Sequence, residues 1–76
     1  MLLSITTAQA CDDGHWLQEN LADGRILKLD DGSVWKVAPF DAITSSLWLV
    51  MDDLIVCDDK LIHVNDGEEV EAEKLR

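Results

Sequence analysis

Seventy-six residues make one domain at most, and a chain this short buries only about 60–65% of the surface its unfolded form exposes, too little to enclose a deep active site. Sixteen acidic residues against six basic give a formal net charge of −10. That field argues against nucleic acid and anionic lipid as partners and favours a basic protein or a divalent cation, unless the charge serves solubility alone.

The first ten residues, "MLLSITTAQA", carry no charge. Ala8-Gln9-Ala10 has the small-x-small form that precedes a signal-peptidase cut, but "LLSI" is only a stub of an apolar segment and no basic residue comes before it. Residues 1–10 therefore read as the remnant of a signal peptide whose start lies upstream, which implies a periplasmic or secreted protein. The competing reading is a cytoplasmic N-terminus that adds a short strand. No run approaches the ~20 apolar residues of a membrane span, so no membrane insertion is expected. Residues 11–76 are left as a single small β domain.

Along that domain, glycine gives the clearest pattern. All four glycines follow aspartate, at Asp13-Gly14, Asp23-Gly24, Asp31-Gly32 and Asp66-Gly67. A run of strand length follows each of them. Asp-Gly is a strong turn signal, because glycine enters the left-handed region without a Cβ penalty. His15–Leu21 is predicted as a first strand, turning at Ala22-Asp23-Gly24. Arg25–Leu29 and Ser33–Val37 follow as a hairpin. Its loop length is set by burial: a two-residue loop would put Leu27 opposite Lys36, whereas a three-residue loop, Asp30-Asp31-Gly32, puts Leu27, Leu29, Trp35 and Val37 on one face. Gly32 is then the left-handed residue of a bulged turn.

"APFDAITSS" contains the only proline, Pro39, and is predicted as a connection with one short helical turn near 40–46. Leu47–Met51 and Leu54–Cys57 are nearly all apolar and of strand length. Leu61–Val64 follows the Asp58-Asp59-Lys60 turn. Glu68–Lys74 alternates Val70 and Ala72 with glutamates, the pattern of a half-exposed edge strand whose charges discourage pairing. About six short strands joined by tight turns predict an all-β fold, a small meander-like antiparallel barrel or sandwich.

"LDDGSVWKVAPFDAITSSLW", followed by "DDLIV" and "LIHVNDGEEVEA", resembles a group of small, often exported bacterial β-proteins that carry an "LDDGS-W-V" hairpin segment. The resemblance covers roughly residues 24–72 and implies a compact all-β fold and, for many members, a periplasmic address. It implies no activity. This chain departs from that group at Asp52, where glycine is common, and in its two cysteines.

The candidate chemistry is sparse. Cys11 and Cys57 could form one disulfide, but counting hairpins places them at opposite ends of the fold, which favours two separate thiols because bridging requires Cα atoms within about 7 Å. Two sets, Cys11/Asp12/Asp13/His15 and Cys57/Asp58/Asp59/His63, lack the spacing of a zinc site. The paired aspartates lack the alternation of a calcium loop. The same hairpin count puts Asp12, Asp13, Asp30, Asp31, Asp52, Asp53 and Asp66 near one end, an acidic turn cluster suited to weak divalent-cation binding or to simple solvation. Trp35 and Trp48 are expected in the core, and His15 with Trp16 as a surface contact. No nucleophile elbow, glycine-rich phosphate loop or triad order is present, and no cofactor is implied. The expectation is a non-catalytic interaction module for an unknown, basic protein partner. The alternatives are a calcium-responsive acidic domain and a structural protein that pairs with itself through a strand edge.

Overall fold

A computed structural model of the protein describes residues 11–76; the expected signal remnant at 1–10 lies outside the described residues. Six antiparallel strands close into a small barrel. They are β1 (Asp12–Leu21), β2 (Ile26–Leu29), β3 (Val34–Val37), β4 (Asp53–Val56), β5 (Lys60–His63) and β6 (Glu69–Lys74). Between β3 and β4 run a 3-10 turn, Pro39–Asp41, and one turn of α-helix, α1 (Ala42–Ser45).

The strand order is β1-β2-β3-β6-β5-β4. Two three-stranded meanders, β1-β2-β3 and β4-β5-β6, are thus joined along β3–β6 and along β1–β4. The second seam depends on the length of β1. Its first part pairs with β4, with Asp12 opposite Val56 and Trp16 opposite Asp53; its second part pairs with β2, with Leu17 opposite Leu29 and Leu21 opposite Ile26. Register shifts between Asp12 and His15, and between Leu17 and Glu19, bend the strand so that it can serve both neighbours.

The β2–β3 hairpin adopts the register that burial selects. Leu27 faces Trp35 and Lys28 faces Val34. Leu29 N–H donates to Ser33 O at 3.0 Å across a three-residue loop, and Gly32 has φ +86°. Leu27, Leu29, Trp35 and Val37 all point inward. They meet Leu17, Leu54, Leu61, Val70 and Ala72, with Trp48 from the β3–β4 connection filling the same core. The buried Trp35 indole donates to Ser33 Oγ at 3.0 Å, and Ser33 Oγ donates to Asp31 Oδ1 at 2.7 Å. Within "LDDGSVW" the acidic turn therefore also supplies the hydrogen-bond partner of a core tryptophan.

Several expectations are corrected. Leu47–Met51 is an irregular loop with turns, and only Trp48 of that run is buried. Glu68–Lys74 alternates as expected, but β6 is bonded on both sides, by β3 and by β5; its glutamates face the solvent outside a closed barrel. Asp13-Gly14 is no corner: it lies inside β1, at the first register shift. Cys11 and Cys57 are joined as a disulfide, their Cα atoms 4.1 Å apart. The hairpin count failed because it ignored the β1–β4 seam, which sets Asp12 opposite Val56 and brings the neighbouring cysteines together.

Two consequences are measurable. The bridge closes a sequence separation of 46 residues, so replacing both cysteines by serine is expected to lower unfolding free energy by about 2–4 kcal/mol in denaturant melts of the oxidised protein and the variant. Alanine at Gly24 and at Gly32 should behave differently although both have positive φ (+85° and +86°). A Cβ at Gly24 would strike the backbone of Ser46 and Ala42, whereas at Gly32 it meets nothing. Gly32→Ala should cost about 1–2 kcal/mol and Gly24→Ala about 3 kcal/mol or more, since overpacking adds to the strain.

Candidate functional site

The expected acidic cluster does not assemble as one site. Its members separate into two histidine-centred groups, built on different strands. In the first, His15 Nδ1 lies 2.9 Å from Asp30 Oδ1, which also accepts the Trp16 amide at 3.2 Å. Asp31 stands next to them with its carboxyl held below the usual range, chiefly by the hydroxyl and amide of Ser33. His15 is thus tied to the β2–β3 turn and is not the bare contact expected, while Trp16 remains 40% exposed.

The second group is more deeply set. His63 ends β5 with 6% of its surface exposed. Its Nε2 lies 2.7 Å from Asp52 Oδ2 and its Nδ1 lies 2.9 Å from Asp66 Oδ1. The ring stacks on Trp48, centroids 5.1 Å apart and planes 22° from parallel. The Trp48 indole donates to Glu68 Oε1 at 3.1 Å. Burial alone would push the His63 pKa down, but the two carboxylates outweigh it and the net shift is upward from 6.5. Asp52 is held below its ordinary value chiefly by the hydrogen bond to His63. Asp66 is lowered first by the Glu68 amide, and by His63 as well.

A neutral imidazole has one N–H, so it cannot donate to two carboxylates at once; the doubly protonated ring can. His63 can therefore donate to both carboxylates only as an imidazolium. In that state the ring has no lone pair to offer a cation, and the group has the geometry of an ionic clasp. Of the remaining expected cluster, Asp12 and Asp53 lie on the β1–β4 seam opposite Val56 and Trp16, and Asp13 is exposed on β1. The aspartates as a set form no single ligand shell for calcium.

The connection between β3 and β4 is the other unusual surface. Asn20 of β1 donates both amide hydrogens, to Ser45 O and Trp48 O, each at 2.9 Å. The buried Ser45 hydroxyl donates to Gly24 O at 2.7 Å, and Asp41 accepts the Glu71 amide at 2.8 Å. Asp52 Oδ2 accepts the Leu49 amide at 2.9 Å, closing the turn that Asp52 N and Leu49 O also bridge. These polar anchors fix the segment, yet Phe40, Ile43, Leu47, Leu49, Val50 and Met51 all stay exposed, Ile43 by 81% and Leu47 by 75%. Sequence reading missed Asn20 and Ser45, since neither has any motif around it. It assigned the apolar run to a strand because length and hydropathy were its only signals.

A surface depression over Lys36–Phe40 and Asp58-Asp59 is open and lined by lysines, carboxylates and apolar groups, with no serine, cysteine or histidine. Comparison with known protein families, with curated proteins and with solved structures returned no match.

Acid stability follows from the carboxylates. Asp31, Asp52 and Asp66 are each lowered from 3.8 in the folded chain, so below that value the unfolded state binds more protons. Their contribution is present above pH 3.8 and is lost as pH falls through their lowered values. Urea midpoints measured from about pH 5 down to pH 2 should fall steadily, and Asp31→Asn or Asp52→Asn should flatten that slope.

Proposed function

We propose that this protein is a non-catalytic interaction module that docks an apolar, basic segment of another protein on its β3–β4 connection. The observation that carries the reading is the row of bare side chains at Phe40, Ile43, Leu47, Leu49, Val50 and Met51, presented by a segment whose backbone is tied to the barrel by Asn20, Ser45 and Asp52. Several large apolar side chains left exposed on one connection suit protein recognition. A fixed backbone lowers the ordering cost of binding. The net charge of −10 selects for a basic partner and works against pairing with a second copy of this chain.

The alternatives find less support. Self-pairing through a strand edge needs an edge, and each of the six strands has two neighbours. Calcium response would have to rest on small clusters of two carboxylates with one histidine, since the expected set of seven is divided. For a catalytic role, the open depression over Lys36–Phe40 supplies lysines and carboxylates but no serine, cysteine or histidine. The Cys11–Cys57 bridge supports an oxidising, exported setting, in line with the leader-like start of the chain.

A synthetic helical peptide with leucine on one face and lysine on the other is a suitable probe. The triple variant Ile43→Ser, Leu47→Ser, Leu49→Ser should bind it at least tenfold more weakly in titration calorimetry, about 1.4 kcal/mol, with an unchanged circular dichroism spectrum. Binding by the parent protein should weaken as salt rises. Equal binding by parent and variant would show that charge alone attracts the peptide and would refute the reading.

A further inference from the structure

Asp52 does two things with one carboxylate oxygen. Oδ2 accepts the Leu49 amide at 2.9 Å and faces His63 Nε2 at 2.7 Å. The Leu49–Asp52 turn, which carries the exposed Leu49, Val50 and Met51, is therefore fastened to β5 through a histidine. Four residues before Asp52, Trp48 lies flat on the same ring and reaches across to Glu68. Both ends of this short loop converge on His63.

We propose that the proton on His63 is a clasp holding the 48–52 loop to the barrel, so that deprotonation releases the loop and the apolar side chains it presents. With two N–H groups the ring binds Asp52 and Asp66 together. With one it must face one of those carboxylates with a lone pair, and that contact turns repulsive. Trp48 in the core and the Asn20 amide on its carbonyl hold the first residue of the loop, so what the proton governs is the Leu49–Asp52 turn. Met51 N–H donates to Leu17 O at 2.7 Å and Leu17 N–H to Asp52 O at 3.0 Å, but no aliphatic side chain from 49–51 enters the core.

Every charged group facing His63 favours the proton. Asp52 comes from the connection; Asp66 and Glu68 come from the β5–β6 turn. Leu54 lies opposite on β4, and Asp53 beside it is exposed. On β6, Glu69 is paired with Lys60 at 2.9 Å, and Lys60 is the one basic residue besides His63 on β5. The clasp is lost upward in pH: His63 titrates above 6.5 in the folded chain, so its contribution is complete below that value and disappears as pH rises through the raised one.

The inference concerns the same loop as the proposed docking surface but stands apart from it, and its test needs no partner. In the intact disulfide-bonded chain, the His63 ring is titrated by NMR while amide hydrogen exchange is followed at Leu49, Met51 and Asp52, corrected for intrinsic pH dependence. The expected result is a midpoint above 6.5, with loop protection falling through the same pH by tenfold for each unit of that upward shift. Protection at Leu27 and Leu29 should be unaffected. His63→Gln, which cannot titrate, should abolish the step. Should that variant fail to fold, Asp52→Asn should move the His63 midpoint down and the loop step with it. A midpoint at or below 6.5, a loop that exchanges independently of the titration, or an equal change at Leu27 would overturn the proposal.

Discussion

Leu17 sits where β1 changes partners. Before it, the strand is bonded to β4; from it onward, to β2. Its own peptide groups bond to the end of the β3–β4 connection, the N–H to Asp52 O and the carbonyl to Met51 N, while its side chain is fully buried. Most of the remaining architecture follows from this dual use of one ten-residue strand. Without it the two meanders would share only the β3–β6 seam and leave two open edges. With it the edges vanish, Cys11 arrives beside Cys57, and the connection is drawn across the outside of the barrel.

A barrel this small has no room for a binding cavity, because side chains fill the interior. Trp16 and Leu21 of β1 are exposed singly, but the connection carries most of the exposed large apolar side chains among the described residues. Trp48 enters the core and Ser45 is buried, but the other apolar residues are left in water by a backbone that hydrogen bonds hold in place. Ordinarily such a run invites aggregation. A net charge of −10 opposes the approach of a second copy at long range.

Period-two patterning made part of this legible. At residues 27–37 a one-residue slip would have put Lys36 inside, so burial alone selected the turn and its left-handed Gly32. Elsewhere the pattern was present but underdetermined. Glu68–Lys74 alternates identically whether it is a free edge or one stave of a barrel, since solvent covers the outer face in both cases. Leu47–Met51 has the composition of a buried strand, and periodicity over five residues cannot distinguish a strand from an anchored loop. The β1–β4 seam was invisible because pairing between distant segments leaves no local signal. The disulfide and the division of the acidic residues both depend on that seam. His63 carried no motif either: its partners lie eleven residues before it and three after, and only the closed fold brings them to opposite sides of its ring.

The two histidines show how much burial matters to this chemistry. His15 and His63 each meet an aspartate at 2.9 Å or less, yet His15 is only partly covered and engages one nitrogen, whereas His63 is buried and engages both. Removing a charge from water is costly unless partners replace the lost solvation, and a second carboxylate on the second nitrogen supplies that replacement. A leucine at position 63 could still pack on Trp48, but it would leave Asp52 and Asp66 without their cation and would respond to nothing. The charged ring makes the loop conditional on a proton. The acidic surplus of the composition also favours that proton, so the state of the clasp follows from the same electrostatic imbalance that the sequence shows.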